Sequence, residues 1–332
     1  LGCYGDSVAQ TPAIDSLAKD GTLFLNAYAT TASCSASRSV VMSGLHNHAN
    51  GQYGHQHAFH KFSSYFNVIG LSLPRALAKA GYRTGHMGKF HVSPEEVFQF
   101  QTYMKGKQRN AVDMANKSED FITEKSDQPF FLYFAPSDPH RGGGIDMTSK
   151  NKLKPDLFGN KPNREEHEGV KEVFYDPKVV LIPSFLSDTP ETREELAHYY
   201  QSVSRIDQGL ARLIEILKDA DLYEKTMIVF TSDHGMAFAG GKTTVYEGGL
   251  RVPFVVRNPY EKKRGVRHPA LISHIDITPS LLDFAGALDT QKNRPIQWED
   301  PAKSFPAPKT KAPNENRGIT SKLSSYHGKS WV

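Results

Sequence analysis

The chain has 332 residues, a formal net charge of +4, 38% hydrophobic residues and 11% aromatic residues. This hydrophobic content is enough for a packed core and excludes global disorder, while the small charge and the lack of a basic arm argue against a nucleic-acid partner. No apolar run reaches the roughly 18 residues that a membrane span needs, and two cysteines, Cys3 and Cys34, exclude a disulfide framework.

The first predicted elements bring one cysteine to the start of a helix. Thr11 predicts the N-cap of a first helix that ends at Gly21, and the apolar run 22–29 predicts a strand. Segment 38–45 can be helical, so Cys34 would lie near a helix N-terminus, where unpaired N–H groups and the helix dipole favour an anion. From spacing alone, Cys34 could be a thiolate nucleophile, a buried structural cysteine or a loop residue.

Helices and strands continue to alternate along the rest of the chain. The patterns predict helices over 71–80, 189–219 and 276–285, and strands over 82–87, 130–135, 227–231 and 254–256. Segment 99–124 is polar and ambiguous, and 141–188 predicts a long loop. The alternation predicts an α/β fold with a mainly parallel sheet covered by helices on both faces.

Several chemically capable residues come directly after predicted strands. They are Cys34, Lys89, His91, His140, Asp233 and His234. In sheets of this kind, ligands bind at the carboxyl ends of the strands, so the pattern predicts one site at one edge of the sheet.

Five parts of the chain, taken together and in order, resemble the type I sulfatases, the formylglycine-dependent members of the alkaline phosphatase superfamily. They are Cys-Ser-Ala-Ser-Arg at 34–38, the loop at 1–5 with Thr-Pro-Ala-Ile-Asp at 11–15, Gly-Lys-Phe-His at 88–91, Thr-Ser-Asp-His-Gly at 231–235, and the stretch 241–253. Two further stretches, 45–54 and 129–141, resemble the heparan N-sulfatase (sulfamidase) branch.

The resemblance also implies a domain organisation. Residues 1–286 would form the sulfatase catalytic domain, a mainly parallel sheet sandwiched between helices. In the family, a strand that ends in a metal-binding Asp pair precedes the loop at 1–5, so we expect this strand before residue 1. Residues 287–332 are expected to be a linker leading to a small C-terminal subdomain that is missing from this chain.

For the nucleophile, the resemblance implies that Cys34 is oxidised to Cα-formylglycine by a maturation enzyme. One hydroxyl of the hydrated aldehyde would attack sulfur to give a covalent sulfo-enzyme, and deprotonation of the other would then expel sulfate. Arg38 is expected to hold these hydroxyls.

The remaining catalytic roles follow the same resemblance. Lys89 and Lys242 would contact the sulfate oxygens as compact positive charges. His91 would be the base for the second hydroxyl and His140 the acid that protonates the leaving group, since histidine exchanges protons near neutral pH.

A metal site is expected at Asp233 and His234, with Cys34 as a further ligand. The family uses one divalent ion, most often Ca²⁺, which prefers oxygen ligands, so the part played by the His234 imidazole stays open. A separate histidine cluster could bind zinc or line the pocket wall; its spacings match no zinc pattern, and we favour the pocket wall for His46, His48, His55, His57 and His60.

The predicted function is hydrolysis of a sulfate ester or sulfamate on a saccharide, with N-sulfoglucosamine of the heparan type as the first substrate. The alternatives are an O-sulfatase on another sulfated polysaccharide, a phosphonate or phosphate ester hydrolase of the same superfamily, and a silent carbohydrate-binding protein if Cys34 is unmodified. The expected partners are the sulfated saccharide and the maturation enzyme. We expect export to a periplasm, lysosome or medium, with the signal peptide outside this chain.

Overall fold

The structure, a computed structural model, describes residues 1–56, 61–142, 155–288 and 330–331. The strands are β1 Thr22–Tyr28, β2 Arg83–Gly88, β3 Thr102–Met104, β4 Phe130–Ala135, β5 Thr226–Thr231, β6 Phe254–Arg257, β7 Val266–Ser273 and β8 Ser330–Trp331. The helices are α1 Pro12–Lys19, α2 Cys34–Ser43, α3 Asn47–Asn50, α4 Leu73–Lys79, α5 Ala111–Thr123, α6 Pro190–Asp219, α7 Glu247–Leu250 and α8 Ile277–Phe284.

The strands form one eight-stranded sheet in the order β3-β2-β4-β8-β5-β6-β1-β7. Neighbouring strands are parallel except at β6, which runs antiparallel to both β1 and β5. The prediction of a mainly parallel sheet is therefore confirmed. Because β1, β2, β4 and β5 all point the same way, their carboxyl ends lie at one edge of the sheet.

Helices cover both faces of the sheet, as the alternating side chains of the strands require. In β4, Phe131 packs into a core shared with α4 and α8, while Phe130 and Leu132 pack into a core shared with α1, α5 and α6. The longest helix, α6, begins where the Thr189 hydroxyl accepts a hydrogen bond from the Thr192 amide.

Helix α2 is the element that carries the first candidate motif into the core. It begins at Cys34 itself, four residues earlier than predicted, and every residue from Cys34 to Ser43 is buried. The helix ends at Gly44, whose φ of 65° lies in the left-handed region where glycine is favoured. A buried helix of this kind holds its N-terminus in a fixed place.

Two stretches at the sheet's margins contain elements that were not predicted. Segment 99–124, which was ambiguous, contains both β3 and α5. Strand β7 was not predicted, because it lies at the edge of the sheet and several of its side chains, Leu271 included, are exposed, which hides the alternating pattern.

The predicted linker, 287–332, lies mostly outside the described residues. Within 287–332, strand β8 (Ser330–Trp331) pairs with β4 on one side and β5 on the other. The Asp pair expected before residue 1 also lies outside the described residues. None of the helices in the described ranges is long and apolar enough to cross a membrane.

Candidate active site

The site is centred on Cys34, whose side chain is almost completely buried at the N-terminus of α2. Its Sγ lies 3.1 Å from His234 Nε2. Burial by itself raises the pKa of the thiol, but hydrogen bonds from His140, His234 and His91 and the charge of Lys89 outweigh it, so the pKa of Cys34 falls far below its usual range. The Cys34 sulfur therefore marks a position where these groups stabilise negative charge.

A buried ion pair lies beside this position. Arg38 Nε donates to Asp233 Oδ2 at 2.8 Å, and Arg38 Nη1 donates to the Lys89 carbonyl at 2.8 Å. The Tyr133 hydroxyl, 3.5 Å from Nη1, lies at the limit of a hydrogen bond. Burial would raise the pKa of Asp233, but the charges of Arg38 and His234 outweigh it and lower that pKa, so the carboxylate stays ionised.

Lys89 and His91 follow the carboxyl end of β2. The backbone of Lys89 continues the sheet by donating to the Ala135 carbonyl at 2.7 Å, which fixes where its side chain starts. Burial and the nearby Arg38 charge lower the pKa of Lys89. His91 Nε2 donates to the Gln56 carbonyl at 3.1 Å, and its ring stacks on that of His55 at 5.6 Å between centroids.

His140 and Lys242 form a second side of the site. Lys242 Nζ lies 3.2 Å from His140 Nε2, and His140 Nδ1 is hydrogen-bonded to the Arg141 carbonyl. Because a carbonyl only accepts, Nδ1 donates in this arrangement, and Nε2 is the ring nitrogen that faces Lys242 and Cys34. The loop of Lys242 is joined to the segment that precedes Cys34, since the Thr243 amide donates to the Ala32 carbonyl at 2.8 Å.

The predicted metal ligands also converge. The ligand atoms of Cys34, Asp233 and His234 all lie within 4.8 Å of one another. His234 Nδ1 donates to the Gly235 carbonyl at 2.7 Å, which leaves Nε2 directed at the cluster, the usual orientation of a metal-binding imidazole. The three residues supply one carboxylate, one imidazole and one thiol, whereas Ca²⁺ takes about six to eight oxygens. They therefore fit part of a divalent-cation site and do not by themselves fit calcium.

A cavity of about 630 Å³ reaches this cluster, and its lining includes Arg38, Asp233 and His234 together with residues of β4 and β5. Several cationic and hydrogen-bonding side chains surround Cys34, and the carboxylate in this described cluster is that of Asp233. Such a surplus of donors over acceptors favours a bound anion with several oxygens.

The structure separates the predicted histidine cluster. His46 and His48 stack on each other at 5.6 Å, and His55 instead stacks on His91. His57 and His60 lie outside the described residues. Among the histidines of this cluster that the structure does describe, no group of three metal-ligand atoms forms.

Two side chains that support the site were not among the predicted site residues. Tyr133 lies in the apolar run of β4, which predicts a buried strand, and its hydroxyl faces Arg38. Arg109 lies in the ambiguous segment 99–124, and it donates to the His140 carbonyl at 2.6 Å. A single sequence carries no signal for either contact.

Comparisons with known proteins agree with this geometry. The family model described as Sulfatase matches residues 1–287. The N-sulphoglucosamine sulphohydrolase of Homo sapiens is 37% identical over 85% of this chain and 57% of its own length. An ulvan-active sulfatase of Formosa agariphila is 29% identical over 86% of this chain and 51% of its own length. The chain thus spans little more than half the length of these relatives.

Among solved structures, one similar chain was determined in complex with its substrate D-glucosamine-2-N,6-O-disulfate. It has a TM-score of 0.63 and 20% sequence identity, and the alignment covers 100% of this chain and 78% of that chain. At this identity the likeness concerns the fold.

Proposed function

The chain belongs to the sulfatase family, and from that premise we propose that it hydrolyses a sulfate ester or sulfamate carried by a saccharide. The observation that carries the proposal is the convergence of His91, His140, His234 and Lys89 on the buried Cys34 side chain. These groups suit a tetrahedral anion and a nucleophile that must be stabilised as it loses a proton.

The sulfamate of N-sulfoglucosamine is the first candidate substrate. The relative at 37% identity bears this sugar in its name, and the structure compared above holds an N-sulfated glucosamine. The stretches 45–54 and 129–141 resemble the sulfamidase branch. The second contains His140, and in the first Gln52 Oε1 accepts a hydrogen bond from the Ser93 amide, two residues beyond His91. We propose that His46, His48 and His55 line the sugar-binding part of the pocket.

Converted to formylglycine, Cys34 would supply a hydrated aldehyde whose hydroxyl attacks sulfur, as is general in the family. Arg38 is held by Asp233 and the Lys89 carbonyl, so its charge stays beside that hydroxyl without a rearrangement. Lys89 faces the same position and neutralises the charge on the sulfate oxygens. His91 hydrogen-bonds residue 34 and is placed to take a proton from its second oxygen.

The leaving group would be handled by His140 and Lys242. With Nδ1 fixed on the Arg141 carbonyl, Nε2 is the atom of His140 that can exchange a proton. Lys242 lies against the same atom and can hold a sulfate oxygen near it. As an imidazolium, His140 would also carry a proton on Nε2; its transfer would neutralise the departing nitrogen or oxygen and leave the neutral ring with its proton on Nδ1.

The remaining requirements of the family are a divalent cation and a maturation step. We propose that Asp233 and His234, with the oxygens of the converted residue 34, hold Ca²⁺ together with carboxylates outside the described residues. A formylglycine-generating enzyme would be the partner that converts Cys34. We also propose export, since a sulfated polysaccharide is too large and too charged to cross a membrane to reach the enzyme.

Sulfate release from a small substrate panel tests the proposal. The complete protein, matured by co-expression with a formylglycine-generating enzyme, would be compared on an N-sulfoglucosamine glycoside, an O-sulfated N-acetylglucosamine and a phosphonate monoester. We expect the highest kcat/KM on the N-sulfated sugar and none for the Cys34→Ala variant.

Each other result selects a different function. Preference for the O-sulfated sugar would make the protein an O-sulfatase, and preference for the phosphonate would make it a phosphonate hydrolase. Binding of sulfated sugar without turnover by the matured protein would indicate a silent carbohydrate-binding protein.

A further inference from the structure

A buried network of charges fixes the turn that contains His140. Asp138, two residues before His140, receives hydrogen bonds from two arginines: Arg109 Nη1 at 2.9 Å to Oδ1 and Arg205 Nε at 2.8 Å to Oδ2. The same Arg109 Nη1 donates to the His140 carbonyl at 2.6 Å. Arg109 therefore links the Asp138 carboxylate to the backbone of the histidine itself.

The network is rigid because its charges are buried and balanced. The side chains of Arg205, Asp138 and Glu172 are 0%, 2% and 1% exposed. Arg205 Nη1 also donates to Asn160 Oδ1 at 2.6 Å and lies 3.3 Å from Glu172 Oε2. Two arginines thus face two carboxylates, and moving Arg205, Asp138 or Glu172 would leave a buried charge without a partner, which is costly.

Backbone contacts join the same two segments. The Ser137 amide donates to the Gln108 carbonyl at 2.8 Å, and the His140 amide donates to the Ser137 carbonyl at 2.9 Å. Arg205 Nε reaches the Arg109 carbonyl at 3.1 Å, which anchors the loop of Arg109 on helix α6. The turn 137–140 is consequently fastened to α6 through the loop that precedes α5.

Resting on the proposed function, in which His140 protonates the leaving group, we propose that Arg109 is a positioning residue for that proton transfer. By holding both Asp138 and the His140 carbonyl, it sets where His140 Nε2 lies relative to Lys242 and residue 34. Proton transfer needs the donor within hydrogen-bond reach, and a displacement of about 1 Å can lower a rate by about a hundredfold.

Arg109 suits an experiment better than the fully buried Arg205. Its side chain is 29% exposed, so its truncation opens little buried space. Asp138 stays paired with Arg205 when Arg109 is removed, and a folded protein is therefore expected. Lysine at this position keeps the positive charge on a shorter side chain without the planar guanidinium, so Arg109→Lys should make the two contacts less well than arginine does. Arg212, a partly exposed arginine of α6 that pairs with Glu119 and Glu215, offers a matched control outside the network.

The test compares two leaving groups in one enzyme preparation. An N-sulfoglucosamine glycoside has a basic leaving nitrogen that needs a proton, whereas nitrophenyl sulfate releases a stable phenolate that does not. We expect Arg109→Ala to lower kcat on the sulfamate by about 10- to 100-fold and kcat on the aryl sulfate by less than about threefold. Arg109→Lys should recover part of the loss, and Arg212→Ala should match the wild type on both substrates.

A double variant separates positioning from general damage. In His140→Ala the proton donor is gone, so adding Arg109→Ala should change the ratio of the two rates by less than about threefold. Because both substrates are measured on the same sample, the ratio does not depend on the folded fraction.

The inference is overturned if Arg109→Ala slows both substrates equally, since that is general damage, or if it slows neither. It is also overturned if the fold-changes that Arg109→Ala and His140→Ala cause in the rate ratio multiply in the double variant, because Arg109 would then act independently of His140. Wild-type protein that hydrolyses neither substrate would instead overturn the proposed function, and the inference with it.

Discussion

The two cysteines of this chain show how surroundings decide the chemistry of one side chain. Burial raises the pKa of both thiols. At Cys3 the neighbouring Asp15 carboxylate adds to burial, and the pKa rises to about 11. At Cys34, hydrogen bonds from histidines and the charge of Lys89 oppose burial and reverse the shift. Burial alone therefore does not distinguish an inert cysteine from a reactive one, whereas the charge of the neighbours does.

The difference between the two thiol pKa values arises from where each cysteine lies relative to the sheet. Cys3 lies in the opening turn, where its amide donates to Asp15 Oδ1 at 2.6 Å. Cys34 begins a buried helix at the carboxyl edge, where segments following β2, β4 and β5 bring in their polar side chains. One edge of a parallel sheet thus collects residues that are as much as 200 positions apart, such as Cys34 and His234.

The largest effect should come from removing each cysteine in turn. Cys34→Ala is expected to lower the rate of sulfate release by on the order of 10⁴- to 10⁶-fold, because it removes the nucleophile. Cys3→Ala should retain the wild-type rate within about twofold, since no site group contacts Cys3. A sulfate-release assay on matured protein, with circular dichroism as a check on folding, measures both; equal losses would contradict the assignment.

A second contrast concerns the arginines beside the two cysteines. Arg38→Ala leaves the partly buried Asp233 charge without its closest partner and is expected to lower the free energy of unfolding by about 2 to 3 kcal/mol. Arg267, which is exposed and donates to the Cys3 carbonyl at 2.8 Å, is the matched control, and Arg267→Ala should cost less than about 1 kcal/mol.

Urea unfolding in the presence of a chelator measures both values. If Arg38→Ala is no more destabilising than Arg267→Ala, the Arg38–Asp233 pair does not hold the site in place.

The smallest effect is a difference in pH dependence, measured on protein that has not been matured. A thiol whose pKa is lowered is ionised over more of the neutral range, so between about pH 5 and 9 the alkylation of Cys34 by iodoacetamide should depend on pH much less steeply than that of Cys3. The pKa of Cys3 is raised to about 11, so its alkylation should rise about tenfold per pH unit throughout that range.

Peptide mass spectrometry resolves the two alkylation rates. The slope against pH is the quantity compared, because burial slows Cys34 at every pH without changing its slope. Parallel slopes for the two cysteines would show that the groups around Cys34 do not hold it as a thiolate.

Much of the site could be predicted because it follows from chain direction. Cys34, Lys89 and Asp233 each come after a strand, and parallel strands end at one edge, so their proximity required no knowledge of packing. The contacts of Arg109 could not be predicted in this way. Arg109 and Asp138 are 29 positions apart, and their pairing depends on how the loop before α5 packs against α6.

The fold was predicted where hydrophobic patterns are strong and missed where they are weak. The apolar run of β4 and the long stripe of α6 were both predicted. Strand β7 was missed because an edge strand buries little of either face. The antiparallel direction of β6 was not predicted, since a short apolar run carries no sign of its direction.

Cys34, and not Cys3, is proposed to become the nucleophile of this protein. Peptide mass spectrometry of the complete protein, co-expressed with a formylglycine-generating enzyme, measures this conversion at each cysteine. We expect the Cys34 peptide to show the mass loss of thiol-to-aldehyde conversion and the Cys3 peptide to keep its thiol. A Cys34 peptide that remains unmodified in protein that still releases sulfate would contradict it.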